Sequence, residues 1–283
     1  MTKQELKTLF EKHNVTTKWN LVDPFVRNSI RICTTLADDQ QINIGQSKIG
    51  GLPDLPKSFN WFEWQGKSLS FIAQINCEEV QQFDVEGKLP KSGILYFFYD
   101  AAQKTWGFDP KDKGSSLVYY FDGVLEELER KAQPNDLDNR AFFKPCRLSF
   151  ESEFNIPDWQ SDYLALDFNY DEEGNFEALN DELYPDDATN KLLGHSNNIQ
   201  DGMETECELV TNGLYCGDGS GYNNPQARKL KENFKNWQLL LQVDSIDEAG
   251  MMWGDVGRLY FWIKQEDLEN RKFENAWMIL QCC

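Results

Sequence analysis

Histidine is scarce in this chain, which limits the acid–base chemistry that it could perform. Only His13 and His195 occur in 283 residues. His195 could act as a general base, but a base needs a nucleophile within hydrogen-bond reach, and the sequence has neither a Gly-x-Ser-x-Gly nor a His-Glu-x-x-His segment. Two carboxylates held at different pKa values can replace histidine in such chemistry. Asp54, Asp244 and Asp255 are the other candidate groups for an enzyme, which we keep as an alternative to a binding protein.

Amide and carboxylate side chains end two apolar segments that have the pattern of strands. Gln74 and Asn76 end the first segment, and Gln242 and Asp244 end the second. A buried amide without a partner costs about 1–3 kcal/mol, so each Gln either bonds a neighbouring loop, such as the Gly50-Gly51 turn, or lines a shared cleft. Tryptophan, which often anchors interfaces, occurs nine times. The candidate binding residues are Trp61, Trp64, Gln74, Asn76, Gln200, Gln242, Asp244, Trp253 and Asp255.

Two short segments resemble ligand-binding loops without completing them. Gly217-Asp218-Gly219-Ser220-Gly221 lacks the lysine and the spacing of a phosphate-binding loop, so a turn is favoured. Asn169-x-Asp171-x-Glu173-Gly174 resembles the start of a calcium loop, but position twelve is Asn180, where that loop needs a bidentate Glu. The seven cysteines form no Cys-x-x-Cys pair, which argues against a zinc site. We predict no metal and no cofactor.

Acidic residues are concentrated in one stretch of the chain. The whole sequence has 47 Asp and Glu against 28 Lys and Arg, a net charge of −19. Residues 151–206 hold 16 of these acids and one base, Lys191, a net of −15, which leaves 31 acids and 27 bases (−4) elsewhere. Such a charge disfavours nucleic acids and anionic membranes as partners. The stretch is either a solvated face or a docking surface for a basic protein, with Asp171, Glu172, Glu173, Asp186 and Asp187 as candidates.

The composition favours a water-soluble globular protein. Hydrophobic residues make up 40% and charged residues 27% of the chain, and no apolar run approaches the roughly 20 residues that a bilayer requires. The first residues lack an apolar signal core, and the odd number of cysteines favours free thiols. The final Cys282-Cys283 does not match a four-residue lipidation box. We expect a cytoplasmic protein.

Residue periodicity predicts strands with short helices between them. Leu6, Leu9 and Phe10 share one face of a helix over 3–13. Asn212-Gly213, between two short apolar segments, predicts a two-residue hairpin. Strands are predicted at 29–36, 68–76, 93–99, 116–121, 146–150, 238–244, 257–263 and 277–282, and further helical turns at 78–83, 175–183 and 265–269.

Segments of the first half recur in the second half at nearly constant separation. FIAQIN and GILYFF are echoed by LLQVD and GRLYFW, with Gln74 and Gln242 168 residues apart and the following tyrosines 164 apart. A weaker echo links KIG at Lys48 with KLLG at Lys191. We therefore predict two related strand-containing units in one compact body, whose cleft would suit a ligand. The predicted divisions are a leading helix at 1–15, a first unit at about 29–150, an acidic segment at 151–206 and a second unit at about 191–283.

Several of these segments, in the same order, resemble the YwqG-like family, a group of unknown function. The matching segments are Gly50 to Pro56, Phe71 to Asn76, Leu89-Pro90 with Gly93 to Phe98, Leu192 to His195 with Ile199-Gln200, Leu239 to Asp244, and Trp253 to Phe261. The resemblance runs from about residue 45 to the C-terminus. It implies a single α+β body, carries over no catalytic residue, and suggests an inhibitory binding role because some relatives belong to toxin–immunity neighbourhoods.

These observations combine into one prediction for the whole chain. We expect a single domain over residues 1–283, of class α+β, mostly antiparallel β with short helices. We expect a non-catalytic protein that binds a basic protein through its acidic surface, as an immunity-type inhibitor. The alternatives are a hydrolase-like enzyme and a small-ligand sensor, each with its cleft between the two units. The oligomeric state stays open.

Overall fold

The computed structural model describes residues 1–100, 102–158, 161–164, 169–184 and 189–283. In this part of the chain the helices are α1 (Lys3–Lys12), α2 (Thr16–Val22), α3 (Cys77–Val80), α4 (Tyr170–Leu183), α5 (Glu204–Thr211), α6 (Gly219–Tyr222), α7 (Ala227–Leu230) and α8 (Gln265–Glu269). The strands are β1 (Arg27–Leu36), β2 (Lys48–Ile49), β3 (Asp54–Pro56), β4 (Glu63–Trp64), β5 (Lys67–Ser68), β6 (Ser70–Asn76), β7 (Ile94–Tyr99), β8 (Ser116–Phe121), β9 (Leu128–Arg130), β10 (Cys146–Asn155), β11 (Lys191–Leu192), β12 (Trp237–Asp244), β13 (Arg258–Lys264) and β14 (Trp277–Gln281). Short 3₁₀ turns lie at Asp23–Phe25, Asp39–Gln41, Pro110–Asp112, Leu125–Glu127, Asn139–Ala141, Lys231–Asn236, Asp247–Ala249 and Phe273–Asn275.

Ten strands form one large sheet in the order β14-β13-β12-β11-β1-β10-β2-β6-β7-β8. Each neighbouring pair in this sheet is antiparallel. Strand β3 pairs with β9, and β4 pairs with β5, in two small additional sheets. The predicted class, α+β with mostly antiparallel strands and short helices, is confirmed.

The two edge strands of the large sheet approach each other, so the sheet is nearly closed. The segment after β7 bridges to β14, because the Leu280 N–H donates to the Trp106 carbonyl at 3.1 Å. The Trp277 indole N–H donates to the Gly107 carbonyl at 2.8 Å. Gly107 has a φ of +89°, and a Cβ there would lie 2.1 Å from the Met278 carbonyl oxygen, so only glycine allows this approach. The bridge shields part of an edge that would otherwise expose unpaired backbone groups.

Apolar side chains cover both faces of the sheet, because successive residues of a strand point to opposite sides. In β7, Phe97 belongs to the largest core cluster, whereas Phe98 belongs to an aromatic cluster with Phe59 and Phe62. Helix α5 packs against β12 and β14, and the cluster there includes Trp237 and Trp277. Helices α1, α2 and α4 share a further cluster with the residue that follows β10.

The two ends of the sheet repeat one set of backbone pairings. In one half Lys48 pairs with Gln74, which pairs with Tyr96. In the other half Lys191 pairs with Gln242, which pairs with Tyr260. The strands that contain the two glutamines, β6 and β12, have a register irregularity at the same place. It lies between Phe71 and Ala73 in β6 and between Leu239 and Leu241 in β12.

The side-chain hydrogen bonds of this set also recur. The Gln74 amide donates to the Gln46 carbonyl at 2.7 Å and accepts from the Asp54 N–H at 2.8 Å, and the Tyr96 hydroxyl donates to the Asp54 carbonyl. In the second half the Gln242 amide donates to the Thr189 carbonyl and accepts from the Asn197 N–H at 2.9 Å. The Tyr260 hydroxyl donates to the Asn197 carbonyl at 2.7 Å. Gln74 and Gln242 therefore form the same pattern of hydrogen bonds, and each locks its strand to a neighbouring loop.

In the chain, β1 precedes the first repeated set and β10 precedes the second. Each of these two strands pairs with a strand of the other set. Strand β10 pairs with β2, and β1 pairs with β11, so β1 and β10 form the centre of the sheet against each other. Arg31 opposes Lys191 just as Arg147 opposes Lys48. Strand β10 thus lies between β1 and β2, although it follows both of them in the chain.

One predicted element is wrong. The Asn212-Gly213 hairpin is absent from the structure: residues Glu204–Thr211 form helix α5, Asn212 is its C-cap, and Gly213 follows with a φ of +89°. An Asn-Gly pair suits the left-handed end of a helix as well as a hairpin turn, so the pair alone does not distinguish the two.

Candidate functional site

Asp54, a candidate catalytic carboxylate, is a fully bonded structural group. Its side chain is completely buried and accepts hydrogen bonds from the Gly45 N–H at 3.1 Å, the Gln74 amide at 2.9 Å and Arg130 Nε at 2.8 Å. Lys48 Nζ lies 3.5 Å from it. With its oxygens held by these donors, Asp54 anchors β3 to the large sheet and faces no substrate space.

The second half repeats this site but lacks its carboxylates. The Leu52 N–H donates to Asp39, whereas its counterpart, the His195 N–H, donates to Asn155 at 3.1 Å. Asn197 likewise occupies the position of Asp54. Lys48 is therefore next to two carboxylates, whereas in the second half Asn155 and Asn197 stand at the equivalent positions of the hydrogen-bond pattern.

Lys191 is a buried amine that forms no ion pair within the described residues. It is fully buried, and within the described residues its Nζ has no hydrogen-bond partner. The Tyr184 ring lies 4.6 Å from Nζ. Burial lowers the pKa of Lys191 to about 8, against a smaller opposing effect of Glu153.

His195, the other candidate base, is also structural. Its Nε2 lies 2.6 Å from the Phe25 carbonyl, which assigns the ring proton to Nε2, and its ring packs edge-on against Tyr163. Burial and the nearby Arg27 hold the pKa of His195 well below its ordinary value, so the ring is neutral. His195 lines none of the larger cavities of the described chain.

Asp244 and Asp255 lie in different surroundings. Asp244 accepts from Arg258 Nε at 3.1 Å and from the Thr189 hydroxyl, and it lines an open cavity of about 600 Å³ beside the exposed Cys33. Burial raises the pKa of Asp244 and Arg258 opposes that shift. Asp255 is exposed and does not line this cavity. The four candidate catalytic residues thus share no cavity in the part of the chain that is described.

The candidate tryptophans support the core and do not surround one cleft. The Trp253 indole N–H donates to the Asp244 carbonyl at 3.0 Å, and its buried ring packs against Phe143. The Trp61 indole N–H donates to the Leu69 carbonyl at 2.8 Å. Trp61 and Trp64 are partly buried in the same aromatic cluster. The Asn76 side chain caps α3 through the Glu78 N–H, as a strand-ending amide can.

The acidic stretch divides into buried and exposed groups. Glu153 pairs with Arg31 at 2.7 Å, and Glu204 is 2% exposed. Burial raises the pKa of Glu204 and of Glu206 to about 7. Asp186 and Asp187 lie outside the described residues. The stretch is therefore not a uniform acidic surface, and its exposed regular part is α4.

Two carboxylates of α4 fasten the helix to the N-terminal helices. Asn169 caps α4 by accepting from the N–H groups of residues 171 and 172, which is the role of the segment that resembled a calcium loop. Glu172 pairs with Lys18 at 3.1 Å. Glu182 pairs with Lys12 and contacts His13, each at 2.6 Å.

The other carboxylates of α4 form an exposed stripe. Glu173, Glu177 and Asp181 are spaced four residues apart and therefore lie on one helix face, and Asp171 is exposed at the start of the helix. The described residues provide these four side chains with no hydrogen bond or ion pair. We call Glu173, Glu177 and Asp181 the α4 stripe.

A second polar cavity was missed from the sequence. It has a volume of about 390 Å³ and lies between α5, β14 and the glycine-rich turn. Gln200, a predicted binding residue, lines it beside Glu206. Met203, Cys207 and Val210 have the spacing of an apolar helix face, a signal that would have predicted α5, with Glu206 at the edge of that face.

Neither a metal-binding cluster nor a membrane-spanning helix occurs among the described residues. No group of three or more His, Cys, Asp or Glu side chains could hold a metal ion among them. Within the same residues, every helix is too short or too polar to cross a membrane.

The comparisons with known proteins identify the family. No curated protein matches the chain. The family DUF1963, a domain of unknown function, matches residues 47–282, which include every strand of the large sheet except β1. The chain therefore belongs to the DUF1963 family of domains of unknown function.

Proposed function

We propose that this protein is a non-catalytic binding protein whose α4 stripe docks a basic region of a partner protein. The observation that carries the proposal is that some carboxylates of α4 form ion pairs within the protein and others do not. Glu172 and Glu182 pair with residues of α1, α2 and the segment between them, whereas the described residues leave the α4 stripe without a counter-charge.

The helix presents the stripe on a rigid support. Leu179 and Leu183 are buried in the cluster that α4 shares with α1 and α2. Three carboxylates at four-residue spacing repel each other within the isolated helix, so a basic partner would relieve that repulsion. The negative field would also accelerate encounter with a cation, in a manner that weakens as salt is added.

The scattered positions of the candidate catalytic groups support a binding role over a hydrolase. His195 and Asp54 are buried and bonded, and Asp255 is exposed away from the cavity that Asp244 lines. Acid–base catalysis by paired carboxylates needs both groups at one substrate. We further propose that the protein is cytoplasmic, since its cysteines are free thiols.

We also infer an internal duplication and a place in the YwqG-like group. The repeated Lys–Gln–Tyr pairings, with the same bulge and the same loop hydrogen bonds, support duplication of one ancestral strand unit. The segment order described above supports the YwqG-like assignment. Inhibition of a basic toxin, as an immunity protein, is the specific form of docking that we propose.

Neutralisation of the stripe tests the docking proposal. The variant Glu173→Gln, Glu177→Gln, Asp181→Asn removes three charges and keeps the shape of the helix. A matched control, Glu63→Gln, Asp122→Asn, Glu232→Gln, removes three exposed and unpaired charges elsewhere on the described surface. Each protein is immobilised and exposed to lysate of its source cells at 50 and 300 mM salt, and captured proteins are quantified by mass spectrometry.

We expect the wild type and the control to capture the same basic protein at low salt. The stripe variant should capture at least about tenfold less of that protein. Its purified form should bind more weakly at 300 mM salt because the contact is between exposed charges. Equal capture by all three proteins, or equal loss from the stripe variant and the control, would exclude the stripe as the docking surface.

A further inference from the structure

The cavity at the glycine-rich turn has an aromatic side and an acidic side. Trp106, Phe108 and Tyr222 are partly exposed and line it, as do the buried residues Ile279 and Leu280 of β14. Its acidic lining consists of Glu206, Asp201 and Asp218. The volume of about 390 Å³ falls within the range of small-molecule sites.

Glu206 is the partly buried carboxylate of this cavity that has no partner among the described residues, whereas Asp201 is exposed to solvent. Its carboxylate is partly buried on α5, and the described residues give it neither a hydrogen bond nor an ion pair. By contrast, Asp218 accepts from the Ser220 N–H at 2.8 Å, and on the same helix Glu208 pairs with Lys264 at 2.8 Å. A partly desolvated carboxylate gains most from a cation that enters the same space.

The other titratable groups around Glu206 do not neutralise it. Burial and the adjacent Asp201 raise the pKa of Glu206 to about 7. Cys207 and Cys216 are buried thiols, and burial raises the pKa of Cys216 to about 12, so both are uncharged at neutral pH. Lys231, the cation on this side, lies over the Tyr222 ring at 5.5 Å and does not line the cavity.

We propose that this cavity binds a primary ammonium group on a short apolar stem. The Glu206 carboxylate would pair with the ammonium, and the faces of Trp106 and Tyr222 would add cation–π attraction. Ile279 and Leu280 would contact the methylene groups of the stem. This inference is independent of the docking role of α4, since it rests on other residues and another kind of ligand.

Proton release provides a signature of the proposed contact. At pH 7 Glu206 is about half protonated, because its pKa is about 7. A bound cation stabilises the carboxylate, so binding should release about half a proton at that pH. A neutral ligand of the same shape should release none.

Calorimetry with n-butylamine, and with n-butanol as the neutral probe, tests the proposal on the full chain. We expect the amine to bind at least about tenfold more tightly than the alcohol, which corresponds to about 1.4 kcal/mol. The dependence of the heat on buffer ionisation enthalpy should report the released proton. Nα-acetyl-lysine N-methylamide, as a third probe, distinguishes a free amine from a lysine side chain of a protein as the natural source.

Two matched variants decide which carboxylate is responsible. Glu206→Gln should weaken amine binding about tenfold and abolish proton release. Glu204→Gln makes the same change two residues away on the same helix, at a carboxyl whose pKa is also raised to about 7 but which does not line the cavity. It should leave amine affinity within about twofold of the wild type. Equal affinities for amine and alcohol, or unchanged amine binding by Glu206→Gln at an unchanged melting temperature, would overturn the proposal.

Discussion

Nearby anions offset the cost of burying a lysine amine, and the two halves of this protein differ in the anions that they provide. Lys48 lies 3.1 Å from Asp39 and 3.5 Å from Asp54, whereas Lys191 at the corresponding place forms no ion pair within the described residues, and its Nζ lies 4.6 Å from the centre of the Tyr184 ring. The same backbone site therefore contains an ion pair in one half and an isolated amine in the other. In the hydrogen-bond pattern, Asn155 and Asn197 of the second half stand where Asp39 and Asp54 stand in the first.

Replacement of each lysine by methionine should have opposite effects. Lys191→Met removes a desolvated amine for which Glu153 compensates only in part, and we expect it to raise the free energy of unfolding by about 1 kcal/mol. Lys48→Met leaves Asp39 and Asp54 without one of their cations, and we expect it to lower that free energy by about 3 kcal/mol. Urea denaturation at pH 7 measures both, and destabilisation of equal size by the two changes would contradict this account.

The effect of Lys191 should also depend on pH in a defined direction. Its pKa is about 8 in the folded protein against 10.5 in the unfolded chain, so between these values the unfolded state binds more protons and stability rises with pH. The advantage of Lys191→Met over the wild type should therefore shrink between pH 8 and 10.5. Denaturation of both proteins at pH 7.5, 9 and 10 measures it, and a constant difference would show that Lys191 does not titrate in this range.

Glu204 should show the reverse dependence. Its folded pKa of about 7 exceeds the ordinary value of 4.5, so the folded state binds the extra proton and stability falls as pH rises from 4.5 to 7. Glu204→Gln should therefore stabilise the protein at pH 8 and be nearly neutral at pH 4.5. Thermal unfolding at the two pH values is the measurement, and a benefit confined to pH 4.5 would contradict the assignment.

At the scale of elements, the loops that follow β2 and β11 share a left-handed backbone. Gly50 has a φ of +68°, and its counterpart Leu193 has a φ of +60°. A Cβ at Gly50 would lie 2.4 Å from the Lys144 carbonyl oxygen, so this position requires glycine for space as well as for φ. Leu193 shows that the conformation itself tolerates a side chain.

Two glycine substitutions distinguish the steric effect of an added Cβ from its effect on the backbone conformation. Gly50→Ala should lower the free energy of unfolding by about 3 kcal/mol, because backbone must move to admit the methyl group. Gly250→Ala, at a φ of +73° with nothing within 4 Å of the new Cβ, should cost only about 1 kcal/mol. Urea denaturation of both variants checks the ranking, and equal costs would mean that the contact with Lys144 imposes no constraint.

Much of the secondary structure follows from periodicity, and the exceptions have physical causes. The strands with strong apolar patterns, such as Ile94–Tyr99 and Trp237–Asp244, were predicted nearly to their ends. Strand β10 extends to Asn155 beyond its predicted end, because its polar residues pair with β1 in the middle of the sheet. Helix α5 was missed since Asn212-Gly213 suits two different turns.

Less of the candidate site than of the secondary structure could be predicted from the sequence. The echo of Gln74 and Gln242 identified two related positions, but only the contacts show that both amides are satisfied by loops. The sequence also does not reveal that Glu206 has no partner among the described residues whereas Glu208 pairs with Lys264, because that difference depends on contacts across the fold. Charge counting marked the acidic stretch without dividing it into buried and exposed groups.

At the scale of the whole molecule, the cluster of α1, α2 and α4 is a separate core beside the sheet. Leu179→Ala should lower the free energy of unfolding by about 2–5 kcal/mol and raise hydrogen exchange in these three helices while β12 stays protected. Leu241→Ala, a fully buried change in the largest core cluster, is the control that should raise exchange in β12 as well. Equal acceleration of β12 by both variants would show that the helices and the sheet unfold together.

The position of β10 between β1 and β2 has a consequence for folding of the chain during its synthesis on the ribosome. β1 and β2 are successive strands in the chain, yet β10 lies between them in the finished sheet. A nascent polypeptide that has not yet extruded residues 146–155 lacks the strand that joins its own two earlier ones. The hydrogen bonds that connect β1 to β2 through β10 can therefore form only after residues 146–155 have been translated.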